Sequence, residues 1–140
     1  GIEVRIPESY IPDLNVRLSI YRRIGDLADP QATDMMIAEL VDRFGALPDS
    51  VRNLFAFIEL KQLCRRANIE KIDAGPKGIS LSFRDDQFAR PEQLIGWIAG
   101  QGGRVQLRPD HRLFVKLALQ DPAMQVPACR DITQQLISLL

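Results

Sequence analysis

The sequence predicts an α+β fold: an N-terminal three-helix segment followed by a ββαββα unit, an antiparallel sheet with helices packed on one face. Three observations carry this. Apolar residues recur at helical spacing up to about residue 68 and then alternate with period two. Pro and Gly punctuate the chain where each helix should start or stop. Two alternating runs each double back through a short turn, and paired hairpins favour an antiparallel sheet with one covered face.

Residues 1–12 read as an extended lead-in arriving from upstream domains, because the X-Pro steps Ile6-Pro7 and Ile11-Pro12 hold the backbone out of helix. Asp13 is placed as the N-cap of a first helix, with Leu14, Leu18, Tyr21 and Ile24 as its apolar stripe. Arg17 falls inside that arc, so it needs a polar partner. Asp29-Pro30 breaks the helix, and a second runs from about Gln31 to Phe44 with Met36, Ile37, Leu40, Val41 and Phe44 facing inward. Gly45 suits a left-handed stop, and Leu47-Pro48-Asp49 opens a third helix to about Asn68. That helix is apolar on two sides: Val51, Leu54, Phe55 and Ile58 on one, Phe57, Leu60, Cys64 and Ala67 on the other.

The first hairpin pairs residues 69–74 with 79–84 across Gly75-Pro76-Lys77-Gly78. Pro91 begins a helix carrying Leu94, Ile95, Trp97 and Ile98, closed by Gly102-Gly103. A second hairpin pairs residues 104–108 with 113–119 across Pro109-Asp110-His111. Pro122 or Pro127 opens the last helix, with Cys129, Ile132, Leu136 and Leu139 on one side.

Composition narrows the functional classes. The 140 residues carry 18 Lys+Arg against 18 Asp+Glu, a formal charge of zero, which argues against a dedicated polyanion binder. Residues 1–70 sum to −2 and residues 71–140 to +2, so neither half hides a large charge. The longest run of non-glycine apolar residues is five, Leu54 to Ile58, far short of the ~20 that span a bilayer. With no signal-peptide pattern, the expected location is the cytoplasm, and Cys64 and Cys129 are expected as reduced core thiols. Fourteen of the 18 basic residues are arginine, which suits bidentate contacts to carboxylates but is equally a mark of GC-rich genomes.

Catalysis finds no foothold. The phosphate-loop, dinucleotide, His-Glu-x-x-His and Cys-x-x-Cys patterns are absent. His111 sits in a hairpin turn, Ser80 and Ser82 lack a nearby base, and Asp85-Asp86 read as solvated loop acids rather than a cation site. Gly100-Gln101-Gly102-Gly103 follows a helix C-terminus, where glycine serves as a cap, not as an anion cradle. No catalytic, cofactor-binding or metal-binding residue is nominated. Lys61, Arg65 and Arg66 form a basic cluster late in the third helix and are the candidate nucleic-acid contact. Cations there also complement the helix dipole, so a structural role outweighs it.

The second helix is more informative. At 100° per residue, Glu39 and Asp42 point away from the apolar stripe, with Met35 between them. A methionine flanked by two carboxylates is a candidate docking patch; an ordinary charged exterior is the competing reading.

Two stretches carry a family resemblance. Residues 6–13, Ile-Pro-Glu-Ser-Tyr-Ile-Pro-Asp, followed by Arg17-Leu18-Ser19-Ile20-Tyr21-Arg22-Arg23-Ile24, resemble the start of the C-terminal domain of bacterial transcription-repair coupling factors. Residues 39–48, Glu-Leu-Val-Asp-Arg-Phe-Gly-Ala-Leu-Pro, resemble its most distinctive motif. The likeness is strongest over residues 6–70 and loosest over residues 89–109.

The resemblance implies a cytoplasmic ATP-driven DNA translocase of which this chain is the non-catalytic C-terminal regulatory domain (residues 13–140: 13–68 helical, 69–140 ββαββα). It implies that the intact protein displaces stalled RNA polymerase and recruits UvrA, with ATP and Mg used by a motor elsewhere. It further implies that this domain docks on an N-terminal UvrB-like module, masks the UvrA-binding surface and restrains the motor. Glu39, Asp42 and Met35 then become the docking residues, pairing with arginines of that module. The alternative is a DNA-binding accessory domain using Lys61, Arg65 and Arg66.

Overall fold

In a computed structural model, residues 2–140 are described, and the chain divides into two compact units, residues 1–62 and 63–140. The first holds helices α1 (Leu14–Gly25) and α2 (Pro30–Phe44) and most of α3 (Asp49–Arg66). The second holds β1 (Ile69–Gly75), β2 (Gly78–Phe83), α4 (Pro91–Ala99), β3 (Val105–Leu107), β4 (Leu113–Lys116) and α5 (Gln125–Ile137). The fold is α+β, as the periodicities predict.

Asp13 caps α1 where the sequence places it, and Asp29, read from the sequence with Pro30 as a helix breaker, caps α2. Asp13 Oδ1 accepts from Val16 N at 3.0 Å, and Asp29 Oδ1 accepts from Ala32 N at 2.8 Å ahead of Pro30. Each satisfies an amide that the helix start leaves unpaired. Gly45 closes α2 with φ +91°, a conformation only glycine takes without strain. Both late prolines are used: Pro122 opens a 3-10 turn, and Pro127 lies in the first turn of α5.

The core of the first unit joins Ile6, Ile11, Ile20, Ile24, Met36, Leu40, Val51 and Phe55. Residues 6–11 are therefore packed rather than merely extended. Tyr10 and Ile11 donate their amides to the Pro7 carbonyl, and Ile6 N donates to Tyr21 Oη at 2.6 Å. Arg17 finds the partner its position requires, donating to the carbonyls of Ile11 (2.8 Å) and Pro12 (3.3 Å).

Several stripe assignments need correcting. In α1 the buried face is Ile20 and Ile24, flanked by Val16 and Tyr21, while Leu14 and Leu18 are exposed. In α2 Val41 is exposed, and the inner face is Thr33, Met36 and Leu40. Phe57 in α3 and Ile95 in α4 are exposed too, and Trp97 is half-buried. α3 buries two polar residues, Ser50 and Gln62, and Gln62 donates to Thr33 Oγ1 (3.1 Å) and the Leu27 carbonyl (3.3 Å).

In the second unit the sheet order is β1-β2-β4-β3, antiparallel throughout. Register puts Ile72, Ala74, Ile79, Leu81, Leu113, Val115 and Val105 on one face. There α5 lies against β1 and α4 against β3. Ile132, Leu136 and Cys129 of α5 and Leu94 of α4 are buried with them. The other face carries Lys71, Asp73, Ser80, Ser82, Gln106, Phe114 and Lys116.

Candidate functional site

The outer face of α2 is set by its inner face. Leu40 is fully buried and Met36 nearly so, which fixes the helix rotation. Met35, Glu39 and Asp42 then follow one another at i, i+4 and i+7, on the side away from Leu40. Met35 is 68% exposed, an unusual position for a large apolar side chain. Asp42 is exposed and forms no ion pair among the described residues.

Glu39 differs from Asp42. Its carboxylate accepts a two-pronged pair from Arg23 of α1, Nη1 to Oε2 and Nη2 to Oε1, both at 2.6 Å. Arg43 Nη1 adds a third bond to Oε2 at 3.0 Å. The Arg23 hydrogen bonds hold the Glu39 carboxyl down at about 2, partial desolvation opposing them and Arg43 assisting. Arg23 is raised in turn by the same hydrogen bond. The i, i+4 relation to Arg43 is readable from sequence. Arg23, sixteen residues upstream, is not; only the packing of α1 on α2 brings it there.

The residues around this face brace it. Arg43 lies 4.8 Å over the Phe44 ring, and Tyr10 packs its ring 5.7 Å from Phe44. Tyr10 Oη donates to the carbonyls of Gly45 (2.8 Å) and Leu40 (3.2 Å). Residues 39–45 are thus largely structural: a core leucine, a stacked arginine and phenylalanine, and a glycine stop. Asp42 and Met35 are exposed and take no part in these bracing contacts.

The other candidate is arranged differently. Lys61, Arg65 and Arg66 are all exposed near the end of α3, and Lys61 lies in the first unit while Arg65 and Arg66 lie in the second. His111 is exposed at φ +66° in the second hairpin turn. Cys64 and Cys129 are buried free thiols. Burial raises Cys64, and it pushes Cys129 up to about 11 with help from Cys64 and Asp73. Among the described residues no helix is long and apolar enough to cross a membrane.

The chain thus comprises a helical unit with a braced outer face on α2 and a unit built on a four-stranded antiparallel sheet. The TRCF domain family model matches residues 1–94, and the chain belongs to that family. Transcription-repair-coupling factor from Escherichia coli K12 is 30% identical over 131 residues, 94% of this chain and 11% of that protein. The Haemophilus influenzae protein of the same name is 38% identical over 98 residues, covering 67% of this chain and 9% of its own. That of Rickettsia bellii is 32% identical over 117 residues, 83% of this chain and 10% of its own. The chain spans about a tenth of the length of these relatives. A crystal structure of the C-terminal domain of transcription-repair coupling factor superposes with a TM-score of 0.78 at 17% identity, covering 99% of this chain and 89% of that one. The fold is therefore that of the coupling factor's C-terminal domain.

Proposed function

We propose that this chain is the non-catalytic regulatory domain of a transcription-coupled repair translocase. In this reading it docks through the outer face of α2 on the N-terminal UvrB-like module of the same protein. The docked state masks the UvrA-binding surface and restrains the motor, and polymerase binding releases it. ATP and Mg belong to the motor elsewhere in the intact protein, which works in the cytoplasm; this chain needs no cofactor of its own.

The observation that supports the reading is the exposed Met35–Asp42 edge on a helix whose rotation is fixed by its buried side. Glu39 joins it only by sharing or exchanging arginines, since Arg23 and Arg43 already occupy its oxygens. Asp42 is then the first carboxylate to engage an incoming arginine, with Met35 supplying apolar contact. A contact of a few such pairs, each about 0.2–1 kcal/mol when exposed, suits an interface that has to open.

The test is UvrA binding by the intact protein in the absence of polymerase. Asp42→Ala with Glu39→Ala should unmask UvrA binding, and Met35→Ala should do so more weakly. Binding that stays masked in the double variant overturns the reading.

A further inference from the structure

We propose that the solvent face of the four-stranded sheet binds a single-stranded nucleic acid, its phosphates on Lys71, Lys77 and Lys116 and a base stacked at Arg108 and Phe114. The total charge of zero conceals the basis for this. The first unit carries seven Lys+Arg against ten Asp+Glu, while the second carries eleven against eight. In the second unit, Lys71 and Lys116 are brought to the outer sheet face by register. Lys77 and Arg108 stand at its rim, and Asp73 is the acid among them, 3.8 Å from Lys71.

The centre of the face is aromatic. Phe114 on β4 lies opposite Ser80 on β2 and Gln106 on β3. The Arg108 guanidinium carbon sits 4.3 Å over its ring. Two depressions flank the ring. One of about 380 Å³ is lined by Lys77, Arg108 and Lys116. The other, of about 400 Å³, is lined by Asp73, Gly78 and Ser80. Gly78 keeps the ring low: a Cβ there would stand 3.1 Å from Phe114 Cζ and 2.1 Å from the Val115 carbonyl oxygen.

An aromatic ring and an arginine plane between separated cations is the arrangement that takes unstacked bases and their phosphates. Phe114 is the one large apolar side chain on a face otherwise made of Lys71, Asp73, Ser80, Ser82, Gln106 and Lys116, too small an apolar centre for a protein partner to cover, which disfavours an acidic protein surface as the occupant. The proposal is independent of the α2 docking reading, since it uses none of its residues.

The 140-residue chain is titrated against a fluorescein-labelled twelve-residue oligothymidylate by anisotropy. Three phosphate contacts predict a slope of about −2 in log affinity against log salt, a roughly 20-fold loss between 50 and 200 mM. Phe114→Leu should weaken binding at least about fivefold, and Lys116→Gln should flatten the slope by about 0.7. Circular dichroism melts report whether each variant is folded; should Phe114→Leu unfold, Arg108→Gln carries the stacking test. Any of four results overturns the proposal: no binding at about 10⁻⁴ M protein in 50 mM salt, undiminished binding by folded variants, equal competition by polyglutamate, or loss of binding only on changing Lys61, Arg65 and Arg66 to Gln.

Discussion

Glu39 shows how one carboxylate can be claimed twice. The proposed function assigns it to docking, yet Arg23 and Arg43 already hold it. Its carboxyl titrates at about 2 in the folded chain against an ordinary 4.5, chiefly through the Arg23 hydrogen bonds. A carboxyl lowered on folding stabilises the fold fully above its unfolded value, and that contribution fades as pH falls from about 4.5 to about 2. Because the side chains of Glu39 and Arg23 are 34% and 46% exposed, water screens the pair and its worth is about 0.2–1 kcal/mol, not the full shift. Glu39→Gln should therefore cost about that much in urea unfolding at pH 7, with the difference from the parent shrinking by pH 2. A difference unchanged at pH 2 would assign the loss to something other than the ion pair. The thiols make a second prediction at this scale. Cys64 and Cys129 are both buried and both raised, so the thiolate that reacts is scarce at pH 8. Neither should react with Ellman's reagent in the native chain at pH 8, and both should in urea.

At the level of elements, helix starts and stops were legible because they depend on local chemistry. Asp13, Asp29, Pro30 and Gly45 each act within a few residues of themselves. The first hairpin turn was legible for the same reason, Gly75 standing opposite Gly78, whereas the register shift between Ile69 and Lys71 was not. Which flank of a helix turns inward was not. In α1 a stripe drawn from Leu14 through Leu18 to Ile24 is as periodic as the true one through Ile20 and Ile24. Only what packs against it, Ile6 and Ile11 from the N-terminal segment among others, decides between them. The same limit hid Arg23 from Glu39 and exposed Val41 and Phe57. Gly78 gives the sharpest test of an element. Its φ of +152° and the carbonyl of Val115 leave no room for a Cβ. Gly78→Ala should lower stability by roughly 2 kcal/mol or more through backbone strain and a displaced β4. A melt within the range of an ordinary surface substitution would show that the hairpin shifts to accommodate it.

Across the whole molecule, the sequence placed the change from helix to sheet at residue 68, but the chain divides at Gln62 and Leu63, inside α3. Periodicity reports where the backbone changes conformation. It does not report which core the last turns of a helix join. Here they join the sheet unit, with Cys64 and Ala67 both buried. Asn68, at φ +60°, donates to the carbonyls of Arg84 (3.1 Å) and Gln87 (2.8 Å) beyond β2. A chain starting at Ile69 would lose two buried side chains and this tie across the loop. Burial of that size and two hydrogen bonds together contribute on the order of 3 kcal/mol. Residues 63–140 should therefore fold with a cooperative thermal transition by circular dichroism, while residues 69–140 should melt at least about 10 °C lower or not fold. Equal melting of the two would move the boundary to residue 68, and would mean that the final turns of α3 lend the sheet unit nothing.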